Sequence, residues 1–524
     1  MKHGFACRSF LAGLLIPCGF APFHMPGLAI LGMALFFMQL DQKSLKQSFL
    51  VGFLFGLGLF SLGVSWIYVS IHDYGHLFAP LSALVTLGFI AYLALYPACV
   101  AILYQRLAMQ RSRLFSCFLF SALWCLSEYL RATVFSGFPW LLLGTSQMDT
   151  PLQYLLPILG VFGVGFLACL ASTLLAVGIQ SSRTKRNLWV IAGILILLAP
   201  SALKKHQWTS TDTTPLSVGI IQANLSMRDK WDEALFWQLL QRYEAYVGQL
   251  LGKKQLIVMP ESAIPVPGNY VSDFLDSLDR QASNADSAIL MGIPEPTSED
   301  STAYYNTLTT LGAAEGSYLK QHLVPFGEFI PKPLQALNHW LSLPSANMKP
   351  GKDGQPLVRV HNHPIASLIC YEVAYPQLLR KQLPEAEWIV SISDDGWFGH
   401  SLAAYQQVQM SQVLSLQTGR FQIVANNDGL SSVINTEGQI EASLPAFQSG
   451  VLNASIRPAH GATPWVSFGD MPVFIMSFFI MLMAYFKRVQ IQFRGRRQQD
   501  ISEPAFEPAQ PPYPYGYRKQ DECR

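Results

Sequence analysis

Charge is scarce in this sequence. Lys, Arg, Asp and Glu make up 13% of its 524 residues, against roughly a quarter in ordinary soluble proteins. Half of the residues are apolar, which excludes a disordered chain. A net charge of +2 excludes a nucleic-acid binder driven by charge. The shortage also excludes a simple soluble enzyme, and it is local. Residues 1–203 hold only 11 Lys/Arg and 4 Asp/Glu. The chain therefore reads as a membrane half joined to a water-soluble half, with more than one domain at this length.

Cysteine is nearly missing from the soluble half. Of the eight, Cys7, Cys18, Cys99, Cys117, Cys125 and Cys169 lie in or beside the membrane half, and Cys523 is in the tail. Only Cys370 falls between residues 205 and 468, so that segment can hold no internal disulfide. A lone thiol in an oxidising compartment is a liability, and its ordinary role would be a buried structural one. No metal-ligand cluster and no phosphate-binding glycine loop is evident in the sequence, so no cofactor and no metal is expected.

Long apolar runs are what the first half has instead. A spanning helix needs about 20 mostly apolar residues. Windows 49–71, 80–104 and 155–179 qualify clearly, 114–130 and 188–203 are shorter, and 471–486 is an isolated late span. Residues 9–40, broken by Pro17, Pro22 and Pro26, read as two more spans, giving about eight. A cleaved signal peptide is the other reading of the N-terminus, but apolar sequence continues past Cys18 and an uncleaved start is preferred. Basic residues fall in every second loop: Lys2 and Arg8; Lys43 and Lys46; Arg106, Arg111 and Arg113; Arg183, Lys185 and Arg186; then Lys487, Arg488, Arg494, Arg496 and Arg497. Those loops are expected to be cytoplasmic, which puts residues from about 205 to 468 outside. The expected division is 1–204 membrane domain, 205–468 catalytic domain, 469–487 last span, and 488–524 a basic, disordered cytoplasmic tail.

In the soluble half, short β-rich runs recur at 217–222, 255–259, 288–292, 304–311, 365–369, 388–392 and 421–425. Helical patterns at 231–251 and 403–418 lie between some of them. This alternation predicts an α/β layered domain. Three acidic, basic or thiol side chains sit near the ends of apolar runs, where an α/β sheet presents ligands. They are Glu261 after Ile257-Val258-Met259-Pro260, Lys320 in Tyr318-Leu319-Lys320-Gln321-His322, and Cys370 in Ser367-Leu368-Ile369-Cys370-Tyr371-Glu372. Singly, each has a bland reading as a cap or a solvated charge. The ordered combination does not.

That Glu–Lys–Cys order resembles the carbon–nitrogen hydrolase (nitrilase) superfamily over residues 216–456 or so, and the resemblance implies a four-layer αββα sandwich. In the membrane half, the run 61–71 followed by Gly75, and Gly137-Phe138-Pro139-Trp140 with Gly144-Thr145-Ser146-Gln147 behind it, resemble the apolipoprotein N-acyltransferases of bacterial inner membranes. The ordinary reading of these runs is helix packing by Gly and Ser with Trp at the interface. The resemblance implies a two-step acyl transfer from a phospholipid donor, through a thioester on Cys370, to the amine of a diacylglyceryl-cysteine apolipoprotein. It makes Glu261 the general base, Lys320 the oxyanion-stabilising cation, and Glu328, Tyr371 and Glu372 supporting residues. It places Trp231 near the substrate entrance. Residues 326–343, with Phe326, Phe329, Ile330, Leu334, Leu337, Trp340, Leu341 and Leu343, read as an apolar arm for the lipid surface, packing against the core being the commoner fate of such residues. Asp394, Gly396 and Gln417 stand where this family commonly has Asn, Ala and Glu.

Two other readings compete. A membrane-anchored amidase or nitrilase would use the same triad with water as acceptor, although eight spans are excessive for a tether. A non-catalytic lipoprotein-binding protein would not need an intact triad. A transporter would need ionisable residues within its spans. Glu128 is the one clear candidate, read here as lying near a span end with its carboxylate reaching the interface.

Overall fold

The computed structural model describes residues 2–75, 77–108, 112–297, 303–330, 347–502 and 516, with the side chains of 2–5 and 491–502 left aside. Among these residues, six helices are long and apolar enough to cross a membrane: Leu45–Gly63, Ala79–Leu107, Arg113–Ser136, Pro151–Gln180, Arg183–Leu203 and Met471–Gln490. The two spans expected in residues 9–40 are helices Lys2–Leu14 and Pro26–Gln39. At 1.5 Å per residue each is about 20 Å long, short of the roughly 30 Å hydrocarbon core.

The helices pack closely because small residues let their backbones meet. A Cβ on Gly52 would lie 2.5 Å from the Pro97 carbonyl oxygen, and one on Gly56 would lie 2.6 Å from the Ala94 Cα. This spacing seats Leu45–Gly63 against Ala79–Leu107. The window 49–71 is not one span. Its helix stops at Gly63, and a short turn Trp66–Val69 runs into a π-turn Ser70–Tyr74. The second piece is bonded to the other half of the molecule, with Ser70 Oγ donating to the Trp397 carbonyl at 2.8 Å. The last helix runs on through Ser502, so residues 488–502 of the tail expected to be disordered are helical. The rest of that tail lies outside the described residues, Gly516 excepted.

The soluble half is two facing sheets. One has six strands in the spatial order Gly450–Ile456, Leu216–Gln222, Leu256–Val258, Ala288–Pro296, Tyr304–Gly312 and Tyr318–Leu319. The other has seven, ordered Ile440–Leu444, Ser431–Ile434, Gln422–Asn426, Ile389–Ser393, His363–Ile369, Val358–Val360 and Ala314–Glu315. Side chains alternate between faces with period two. Leu256, Val258, Ala288 and Leu290 belong to one buried cluster that also takes in Leu368, Ile389 and Val390 of the second sheet. Ile257, Met259, Ile289 and Met291 face outward onto helices Phe236–Leu250 and Ser272–Asn284. On the far side, helix Ala403–Thr418 covers the second sheet. These are the layers of an αββα sandwich.

That last helix is not an amphipathic surface helix. Gln406, Gln407, Gln409, Ser411, Ser415 and Gln417 are all buried, because its outer face lies against the membrane half. Gln406 Oε1 accepts from Trp140 Nε1, and Gln409 Oε1 accepts from the Ala21 N–H at 2.9 Å. These two glutamines satisfy groups across this seam.

Candidate active site

Three strand ends converge on one buried cluster. Glu261 follows strand Leu256–Val258, Lys320 follows Tyr318–Leu319, and Cys370 follows His363–Ile369 directly. Their exposures are 6%, 1% and 7%. Cys370 has φ +53°, left-handed backbone that non-glycine residues seldom adopt. A sharp turn of this kind at a strand end is what lifts a nucleophile out of the sheet.

Both carboxylate oxygens of Glu261 accept hydrogen bonds, and Oε2, with a single donor, keeps a lone pair free. Oε1 accepts from Asn306 Nδ2 at 2.6 Å and from Lys320 Nζ at 3.2 Å. Oε2 accepts from the Asp394 N–H at 3.0 Å. The Lys320 ammonium is also paired with Glu328 Oε1 at 2.7 Å, and Glu328 Oε2 is fixed by the Val324 N–H at 2.7 Å. Burial opposes the charge on Lys320, but Glu261 and Glu328 outweigh it and hold the ammonium well above the usual lysine range. Burial, then the Glu261 carboxylate, push the Cys370 thiol well up, and Lys320 pulls it back in part. The thiol is therefore protonated at rest. His322 is held down to about 4 by burial and by Lys320, so it is neutral and leaves Lys320 the only cation in its segment.

Tyr371 and Glu372 act from the turn after the thiol. Tyr371 OH donates to the Gly137 carbonyl at 3.4 Å, and Tyr375 OH donates to the same oxygen at 3.0 Å. The motif 137–140 in the membrane half thus touches the residue next to Cys370. It is itself held from within the membrane half, where Arg131 donates to the carbonyls of Phe138 and Trp140 and Glu128 Oε1 accepts from the Leu143 N–H at 2.7 Å. Glu128 is 3% exposed and 4.0 Å from Arg131. It does not reach for the interface as expected, because the loop supplies its partners inside the bundle.

Trp231 and Phe326 are not part of the buried network: they are 51% and 46% exposed. Phe329 and Ile330 are half-buried. Trp340, with Leu334, Leu337, Leu341 and Leu343 of the proposed arm, lies outside the described residues. Sequence reasoning missed Asn306 and Lys230. An Asn in the middle of a strand, where that residue is depleted, was the available signal for the first. Lys230 gave none, since lysine is ordinarily solvated.

Comparison with known proteins follows the same division of the chain. The model for the apolipoprotein N-acyltransferase N-terminal domain matches residues 12–174, and that for carbon-nitrogen hydrolase matches 217–463. The apolipoprotein N-acyltransferase of Pseudomonas syringae is 36% identical over 89% of this chain and 93% of its own length. That of Azotobacter vinelandii is 36% identical over 91% and 94%, and that of Coxiella burnetii 33% identical over 91% and 99%. The chain belongs to the apolipoprotein N-acyltransferase family.

The match to apolipoprotein N-acyltransferases covers both halves, so it is not confined to the hydrolase-like portion, and the protein is a multi-pass membrane protein of that family. Two of the three positions singled out in the sequence have a local explanation. A Cβ on Gly396 would come within 2.9 Å of the Met227 side chain, so glycine relieves that contact. Asp394 is paired with Lys230. Nothing in the structure explains Gln417, whose buried side-chain amide has no hydrogen-bond partner among the described residues.

Glu372 is the brace of the site. Its carboxylate accepts from the N–H groups of Gln321, His322 and Ile369 at 2.7, 3.0 and 2.8 Å, and from Tyr318 OH at 3.1 Å. It thereby ties the strand carrying Cys370 to the segment carrying Lys320. Burial lifts it to about 7 against the pull of those N–H donors. Glu372→Ala would strand three N–H groups, of which the buried one at Ile369 alone costs about 1–3 kcal/mol. A fall in melting temperature of several degrees is expected, followed by intrinsic tryptophan fluorescence of the full chain in detergent. A melting curve that overlays wild type would remove the bracing role.

Proposed function

We propose that the protein transfers an acyl chain from a phospholipid, through a thioester on Cys370, to the N-terminal amine of diacylglyceryl-cysteine apolipoproteins, the last step of lipoprotein maturation. The observation that carries this reading is the convergence of Glu261, Lys320 and Cys370 in one buried cluster whose nucleophile turn is bonded to the membrane half at Gly137. Lipid substrates have negligible solubility in water, and a site joined to a bilayer-embedded bundle suits them.

In the first step Glu261 takes the thiol proton, and the thiolate attacks the ester carbonyl. Lys320 and the Tyr371 backbone N–H stabilise the oxyanion. The intermediate collapses, the carbon–oxygen ester bond breaks, and Glu261 returns the proton to the departing lysophospholipid. In the second step the lipoprotein amine attacks the thioester, Glu261 accepts its proton, and the Cys370 thiolate leaves. The sequence is ping-pong, with the acyl chain resting on sulfur between the two substrates. Trp231, Phe326 and Trp340 are assigned to substrate contact, and Glu328, Tyr371 and Glu372 to support. The alternating basic loops support a bacterial inner-membrane location with residues 205–468 on the periplasmic face, residues 1–204 and 469–487 in the bilayer, and the tail from 488 in the cytoplasm.

Incubation with labelled phospholipid followed by mass spectrometry of the Cys370 peptide tests this. The expected result is an acyl adduct that persists until a diacylated lipopeptide is added, and then moves to it. Rapid release of free fatty acid with no lipopeptide present would instead identify a hydrolase.

A further inference from the structure

A second buried ion pair lies against Glu261. Lys230 ends a short helical turn, Met227–Lys230, and is only 2% exposed; Asp394 is 3% exposed. The Lys230 ammonium donates to the Asp394 carboxylate and, at 2.9 Å, to the Glu261 backbone carbonyl. Asp394 in turn donates its own N–H to Glu261 Oε2 at 3.0 Å. Its carboxylate is fixed by the Gly396 N–H and by Asn427 Nδ2, both at 3.2 Å. One pair therefore grips Glu261 at both its main chain and its carboxylate.

We propose that Lys230 and Asp394 are positioning residues that fix Glu261 as the base and balance the charge around it. The proposal rests on the reading of Glu261 as the base for Cys370. Glu261 is faced by Lys320 and Glu328 from the segment after Tyr318–Leu319, by Cys370 from its turn, by Lys230, and by Asp394 and Asp395 from the turn after Ile389–Ser393, with Asp428 behind these two. Lys230 is the cation that offsets this acidic wall. Without it the Asp394 carboxylate stands uncompensated beside Glu261, and a like charge favours the protonated acid. Without the Asp394 charge, the unbalanced Lys230 favours the carboxylate.

The two changes therefore have opposite signs, which a purely structural pair does not predict. The readout is the pH dependence of Cys370 alkylation by iodoacetamide in the full chain in detergent, followed on the Cys370 peptide by mass spectrometry. It needs no lipid, so it stands apart from whether acyl transfer occurs. In K230M the profile is expected to move to higher pH by about one unit, and in D394N to lower pH. In K230M/D394N, which lacks both charges, it is expected to return close to wild type. Should K230M fail to fold, D394N keeps the Lys230 bond to the Glu261 carbonyl and carries the test alone. Profiles that stay in place, or that move in the same direction in both single variants, would overturn the proposal. Acylation by labelled phospholipid, run alongside, reads the parent mechanism separately.

Discussion

Cys370→Ala is expected to abolish acyl transfer, with a loss of at least about 10⁴-fold, as removal of a nucleophile does in enzymes that pass through a covalent intermediate. No acyl adduct should appear on the peptide spanning residue 370, and no triacylated lipopeptide should form. Alanine has the same Cβ and can keep the left-handed backbone that Cys370 already adopts, so the melting temperature should stay near wild type. That separates loss of chemistry from loss of fold. Full activity in this variant would sink both the transferase and the hydrolase readings, since each passes through the thioester.

Glu261→Gln is the second large effect, and two physical causes act together. The buried thiol of Cys370 is held well above its ordinary range, so without a base it stays protonated and acylation slows by about 10²–10⁴-fold. The amide is also the wrong group for the site. Asn306, Lys320 and the Asp394 N–H all donate to Glu261, so the amide nitrogen of glutamine must face a donor on at least one side. Single-turnover formation of the Cys370 adduct measures the first step directly. A burst of wild-type size would rule Glu261 out as the base that activates the thiol.

Much of this site was legible because each key residue follows a run with its own local signal. The strands before Glu261 and Cys370 are short, β-branched and bounded by polar sequence, and the hairpin at 431–444 carries its turn in Thr436-Glu437-Gly438. What the sequence did not disclose depends on partners far along the chain. Lys230 is indistinguishable from a solvated lysine until Asp394 and the Glu261 carbonyl are brought to it across 164 and 31 positions. The break after Gly63 lies inside an apolar window, and hydropathy does not register that its second piece bonds to Trp397. Glu128 looked interfacial because periodicity says nothing of a loop folding back to give it the Leu143 N–H.

The buried glutamines of helix Ala403–Thr418 bear on the order in which the molecule is made. The side-chain oxygens of Gln406 and Gln409 accept from Trp140 and Ala21, from a part of the chain synthesised far earlier. A ribosome completes the helices preceding residue 204 before this helix exists. The membrane bundle is then already in place as a template when the outermost layer of the sandwich arrives to dock on it. In an excised fragment 205–468 that surface would have no template, and the nucleophile turn would lose its anchor at Gly137. The catalytic half is completed on the membrane half rather than tethered to it.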